Sequence, residues 1–284
     1  MKKLRIRHPL AYCIIAFVLW LAAQNLFGIA GAFADGLFQM NGALLQLISE
    51  AGCALAMALL LRRTGRGGLL SERGIGLASG LKYGLPVILL AAVMTVLSLN
   101  FSSLQLSPLP IIVCYVTYML TIGMAEDFLC RGIMAETLLE RFGTGREGVL
   151  KASAISSLLF GLIHFMNLLS GASLSGVLLQ VLNAFLVGMV FAAIYFRTGN
   201  LWTVVLIHAV WDFFSLMQTQ NGLFVSQTTF AQTLSSQFDI WTLVTMALML
   251  AFSIFMFMRK STYEAAAIFF DPYVRMQKEE RKQL

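Results

Sequence analysis

Charge is what this 284-residue chain has little of. Asp, Glu, Lys and Arg make up 12% of it, about half of the roughly 25% found in soluble domains, which excludes an ordinary water-facing surface. Proline is rarer still, with five residues, so few apolar runs are broken. The four cysteines, Cys13, Cys53, Cys114 and Cys130, have no metal or redox spacing and sit inside apolar stretches, where they read as small apolar residues. No linker separates two folded domains, and no repeat of about 20–50 residues is present.

What the chain does have is apolar length. Hydrophobic residues make up 58%, and runs of about 20 of them, enough to cross a bilayer, lie near 9–33, 40–61, 81–100, 110–140, 149–169, 176–197, 201–218 and 240–258. They predict an all-α polytopic membrane bundle of about eight transmembrane helices: one domain over 1–260 and a tail over 261–284. In that tail, Ala265–Phe270 reads as an interfacial helix and the alternating charges after it as a solvated end.

Basic residues test the count independently. Lys2, Lys3, Arg5 and Arg7, then Arg62, Arg63, Arg66, Arg73 and Lys82, then Arg141, Arg146 and Lys151, then Arg197, and finally Arg259 and Lys260 all fall on one side of an eight-span arrangement. The opposite connections, 34–39, 101–109, 170–175 and 219–239, hold no Lys or Arg. By the positive-inside rule both termini are cytoplasmic. The net charge of +6 is then topology and contact with anionic lipid, and nucleic acid is not an expected partner. Residues 1–34 also imitate a secretory signal ending in Ala32-Phe33-Ala34, but the apolar run from Pro9 to Ala34 exceeds the usual signal core of about 7–15 residues and reads as an uncleaved anchor. The connection 219–239, rich in Gln, Ser and Thr, reads as a solvated connector or a cover over a site.

Against this background a few polar residues stand out. Only Arg131 among the twenty basic residues falls mid-span, in Glu126-Asp127-Phe128-Leu129-Cys130-Arg131, and two of the three histidines, His164 and His208, lie in apolar runs. An acid or base at membrane depth is costly unless it meets a partner or a water cavity. Asp127 and Arg131, four apart on a helix, predict a buried ion pair, which leaves Glu126 on a neighbouring face. His164 follows Phe160 and Gly161, a glycine that lets another helix approach. At about 1.5 Å per residue, Glu126 and His164 share a depth of about 20 Å from the cytoplasmic side, with His208 at about 11 Å and Asp212 at about 17 Å. The shallower pair asks for tilt or a vestibule open to the cytoplasm. In His208-Ala209-Val210-Trp211-Asp212 the carboxylate stands beside the imidazole and can orient it. Gln180 and Asn183 read as packing residues that also could line the cavity.

Glu126, His164, His208 and Asp212 admit two related chemistries. The imidazoles and a carboxylate, as Glu126, His164 and His208, can hold Zn2+ with an open position for water. Without metal, Glu126 can serve as base on a water while the imidazoles polarise a carbonyl. The convergence of two imidazoles and two carboxylates, with Asp212 orienting His208, favours the metal.

The order Glu-acid-x-x-x-Arg, Phe-x-x-x-His, His-x-x-x-Asp, together with Arg197-Thr198-Gly199-Asn200-Leu201-Trp202 leading into His208, resembles the CAAX protease and bacteriocin-processing family of intramembrane proteases, which includes the type II CAAX prenyl protease and Abi-like proteins. The resemblance covers Met124–Phe213 and sets a protease-like core at about 110–218. It implies that Glu126 and His164 activate water, that His208 and Asp212 steady the oxyanion or join a metal site, and that Asp127 and Arg131 support them. One departure is visible: the second acid is Asp127, where the family usually has glutamate. The implied partners are a peptide or membrane-protein substrate and the lipid bilayer, and the implied location is a bacterial cell membrane. Two other readings compete with catalysis. One is a silent scaffold or immunity protein of the same fold; the other is a proton-coupled transporter that would use Glu50 with Glu126 and His164.

Overall fold

A computed structural model of the chain describes residues 1–71, 73–99, 104–236 and 240–283, without the side chains of 98, 230, 236, 272–275 and 277–283. Its helices are α1 (Lys2–Arg7), α2 (Pro9–Phe38), α3 (Ala43–Arg63), α4 (Leu77–Ser98), α5 (Leu109–Asp127), α6 (Glu136–Phe142), α7 (Arg146–Ile163), α8 (Leu174–Thr198), α9 (Leu201–Leu216), α10 (Phe230–Ser236), α11 (Ile240–Met258) and α12 (Lys260–Gln283). A π-helical segment, Phe128–Ala135, joins α5 to α6, and a 3-10 segment, His164–Ser170, continues α7. Seven helices among the described residues are long and apolar enough to span a bilayer, and α9, with 16 residues, is the eighth, shorter apolar helix. The chain is an integral, multi-pass, all-α membrane protein.

The helices end where local chemistry ends them. Gln39 takes a left-handed conformation after α2, and the Asp35 carboxylate accepts from the amides of Gly42 (2.7 Å) and Leu44 (3.0 Å), which turns the chain straight into α3. Gly199, at φ +65°, closes α8, a position that suits a residue without Cβ. Asn200 then caps α9, its Oδ1 accepting from Trp202 N (3.0 Å) and Thr203 N (3.3 Å). The Asn200 side chain also donates to the Ile75 carbonyl (3.1 Å), so this turn is pinned to the loop before α4.

Glycines bring the site-bearing helices together. A Cβ on Gly161 would lie 2.7 Å from the Val181 carbonyl oxygen, and one on Gly123 would lie 2.6 Å from that of Val205. Gly161 therefore admits α8 against α7, as the sequence leads one to expect, and Gly123 admits α9 against α5.

At the end bearing the basic connections the bundle is sealed by buried charge. Arg66 donates to the carbonyls of Gly132 (3.3 Å) and Ile133 (3.0 Å) within the π-helical segment and to Thr137 Oγ1 (2.8 Å). It also pairs with Glu140 (3.0 Å), which binds Arg5 (2.7 Å), while Tyr195 donates to Glu136 (2.6 Å). A π-helical turn releases carbonyls from the regular ladder, and Arg66 supplies donors for two of them.

The connection after α9 folds back over the other end. Ser107 N donates to the Leu223 carbonyl (3.0 Å), Val225 N to that of Gln105 (2.8 Å), and Ser107 Oγ to that of Gly222 (2.8 Å). It is a cover pinned to the segment before α5; residues 237–239 of this connection and 101–103 of its neighbour lie outside the described residues. In the tail, Thr262, Ala266 and Phe270 are buried, and the Phe270 ring packs on Tyr195 (5.3 Å) and Phe196 (5.5 Å). The side chains of the expected solvated end are mostly outside the described residues.

The four native cysteines are buried, so introduced cysteines can report topology with little background. Cysteines replacing Arg63 and Gln220 are expected to react with a membrane-impermeant maleimide from opposite faces of sealed vesicles. Labelling of both from one face would sink the eight-span arrangement.

Candidate active site

Asp127, Arg131 and His208 are 0%, 2% and 3% exposed, and their contacts explain how three such groups coexist in an apolar bundle. Arg131 Nη1 lies 2.7 Å from Asp127 Oδ1, and Nη2 donates to the Gly188 carbonyl of α8 at 3.3 Å. The guanidinium also lies over the rings of Phe160 (5.0 Å) and Phe191 (5.2 Å), adding a cation–π contribution that grows when solvent is excluded. The expected ion pair is there.

Asp127 does more than neutralise Arg131. Its second oxygen, Oδ2, lies 3.0 Å from His208 Nδ1. A carboxylate held against a guanidinium can only accept, so His208 Nδ1 carries the proton and Nε2 is turned towards Glu126 Oε2 (3.5 Å) and Asp212 Oδ2 (3.4 Å). Asp212, expected beside the imidazole from its i, i+4 spacing, does stand there, at Nε2. The far nitrogen, Nδ1, is held by Asp127 from another helix, and Asp212 faces Nε2 together with Glu126. No spacing rule reveals a contact between residues 127 and 208.

The depth mismatch expected for His208 also has an explanation. Leu201, the first residue of α9, packs against Gly132, whereas the α5–α6 run continues to Phe142. Helix α9 therefore starts well inside the bundle, and counting from helix ends underestimates the depth of His208.

His164 stands where α7 tightens into its 3-10 continuation, its Nδ1 3.0 Å from the Phe160 carbonyl oxygen. Since a carbonyl only accepts, Nδ1 is the donor and Nε2 is left with its lone pair. The Phe160 ring packs edge-on against His164 (5.1 Å) and against His208 (6.0 Å). Among the described residues no hydrogen bond or ion pair joins His164 to Glu126, so their shared depth appears as a common wall and not as contact.

That wall belongs to a cavity of about 580 Å³ lined by Glu126, His164, His208 and Asp212. Gln180 and Asn183 line it too; Gln180 Oε1 accepts from Asn167 Nδ2 at 2.7 Å, and Asn183 Oδ1 is buried without a hydrogen-bond partner among the described residues. Tyr118, Gln24 and Glu50 are further lining residues, and of these only Glu50 drew notice in the sequence.

The direction of the cavity differs from expectation. It reaches Gln46 at the start of α3, Leu169 and Ser170 after α7, and Thr219–Asn221 of the cover, all at the end remote from Arg62–Arg73. On the cytoplasmic placement expected for the basic connections, the opening would face away from the cytoplasm. The Arg66–Glu136–Glu140–Arg5 network and the buried residues around Arg131 close the other end. The deep start of α9 accounts for the low axial count of His208 without calling on tilt or a cytoplasmic vestibule.

Among the described residues no three His, Cys, Asp or Glu side chains gather so as to hold an ion. His208 and His164 each engage Nδ1, with Asp127 and with the Phe160 carbonyl, which leaves Nε2 as the nitrogen that could ligate a metal, and no contact joins His164 to Glu126 among the described residues.

Comparison with known proteins returned one family. The family model described as Type II CAAX prenyl endopeptidase Rce1-like matches residues 108–214, a stretch running from the start of α5 to near the end of α9 that contains Glu126, His164, His208 and Asp212. No curated protein matches the chain, and no solved structure matches it. The family supports a CAAX-type intramembrane protease function.

Proposed function

We propose that this chain, whose residues 108–214 match the type II CAAX prenyl endopeptidase Rce1-like model, is an intramembrane endopeptidase that hydrolyses a peptide bond with water activated by Glu126. One observation carries the reading: a carboxylate, an imidazole anchored on a second carboxylate, and a third carboxylate meet within 3.5 Å on the wall of one cavity. A scaffold or immunity protein has no need of this arrangement, which concentrates costly groups at one point.

In the proposed reaction Glu126 takes a proton from water as the water oxygen bonds to the scissile carbonyl carbon, and the carbonyl π pair moves to its oxygen. His208 acts as the imidazolium, protonated at both nitrogens among three carboxylates: its Nε2–H and the amide of Asn183 stabilise that oxyanion, with Asp127 holding the ring at Nδ1 so that it need not reorganise. Collapse of the tetrahedral intermediate breaks the C–N bond, and Glu126 returns the proton to the leaving amine. His164 offers its Nε2 lone pair to the second proton of the water. Asp212 accepts from His208 Nε2 in the resting site and releases it to the oxyanion. Arg131 and Asp127 are positioning residues.

The test of the reading is incubation of the purified protein in lipid nanodiscs with a peptide library, followed by mass spectrometry of the products. Discrete cleavage sites are expected, and a folded protein that cleaves nothing would favour the scaffold reading. Zinc assistance is tested on the same preparation. The metal-free mechanism anticipates activity indifferent to chelator and a metal content far below one per chain. Loss of activity in chelator with recovery on added zinc would return the ion to the site.

A further inference from the structure

We propose that Gln24 and Glu50 form a subsite for a cationic group of the substrate, an alkylammonium or a guanidinium. The proposal takes the word substrate from the hydrolase reading, but the subsite itself rests on separate residues, on α2 and α3, outside the family match. Glu50 is 7% exposed and lines the same cavity as Glu126. Its surroundings fix it in place. One turn along α3, the Cys53 thiol donates to Gln24 Oε1 at 2.8 Å, which leaves Gln24 Nε2 to donate to Glu50 Oε1, also at 2.8 Å. Ser49 Oγ donates to the Gln24 carbonyl at 3.1 Å and holds the two helices in register.

The other carboxylate oxygen, Glu50 Oε2, is buried and has no hydrogen-bond partner among the described residues. Leaving such an atom unsatisfied is costly, and native structures seldom do so without a reason. The rest of the wall does not supply a cation. Glu50, Glu126 and Asp212 line the cavity with no Lys or Arg among its described lining residues, and His208 on the same wall is already engaged by Asp127, Glu126 and Asp212. A neutral donor could satisfy Oε2 but would leave the carboxylate charge unpaired, and an anion would add to it. A cation would give it a charge-assisted hydrogen bond in a site with little water, the setting in which such bonds are strongest.

Binding of hexylammonium and of hexanol, corrected for partition into empty nanodiscs, tests this without any need for turnover. The parent should bind hexylammonium at least tenfold more tightly than hexanol. Glu50→Gln, which keeps the shape and removes the unpaired charge, should keep its melting temperature and lose the preference, and Glu50→Asp should retain part of it. Glu126→Gln should still bind hexylammonium, so failure of the protease reading leaves this measurement standing. No preference in the parent, or a preference unchanged in Glu50→Gln, overturns the proposal. With peptides that the parent cleaves, KM for a Lys-containing sequence should lie at least tenfold below that of its norleucine counterpart, and equal values would count against it.

Discussion

Replacing Glu126 by Gln is expected to reduce peptide hydrolysis per folded molecule by at least about a thousandfold, within the range that general-base and positioning effects together supply. Gln keeps the size of the side chain and its ability to hydrogen-bond, so the cavity should retain its shape while losing the group that accepts the proton of water. The melting temperature should not fall, because a buried carboxylate 3.5 Å from His208 Nε2 is exchanged for a neutral group that needs less solvation. Substrate binding should survive, making this a loss in kcat. A variant that cleaves as well as the parent would remove Glu126 from the chemistry.

The second large effect concerns folding. Arg131→Ala should destabilise the protein by about 3–5 kcal/mol, the cost of breaking a buried pair by removing one member, because it strands the fully buried Asp127 and takes the donor from Gly188 and the cation from Phe160 and Phe191. Arg131→Lys should not restore it, since an ammonium lacks the planar fork that reaches Asp127 and the Gly188 carbonyl together. Removing both charges, as Asp127→Asn with Arg131→Met, should recover much of the stability measured by thermal melting. It should also lower kcat at near-constant KM, because His208 loses the carboxylate that fixes its orientation. A double variant with parental kcat would confine Asp127 to packing.

Most of the architecture was legible because bilayer length and one-sided basic charge are strong, redundant signals. The eight apolar runs correspond to the seven long helices and α9. Boundaries moved where hydropathy and helix chemistry differ: α2 continues to Phe38, past the apolar run, until left-handed Gln39 and the capping carboxylate of Asp35 stop it. Within the site, the residues were legible as expensive groups in lipid, and the Asp127–Arg131 contact followed from their spacing on one helix. The Asp127–His208 hydrogen bond was not legible, for it joins α5 to α9 and depends on where Gly123 lets them meet. Nor was the opening of the cavity, which is set by the deep start of α9 beside Gly132 and by the Arg66 network, neither of which has a local signature. Glu50 stood out as an intramembrane acid without a role. Its partner Gln24 and the thiol that orients it emerged only once α2 and α3 were packed together.

The most direct test of water-activated hydrolysis at this site is mass spectrometry of the products formed in oxygen-18 water by the protein in nanodiscs, run beside Glu126→Gln. One oxygen-18 in each newly formed carboxyl group, with no product from Glu126→Gln, is the expected result. Equal product from the variant, or no labelled product from a folded parent across the peptide library, would contradict it.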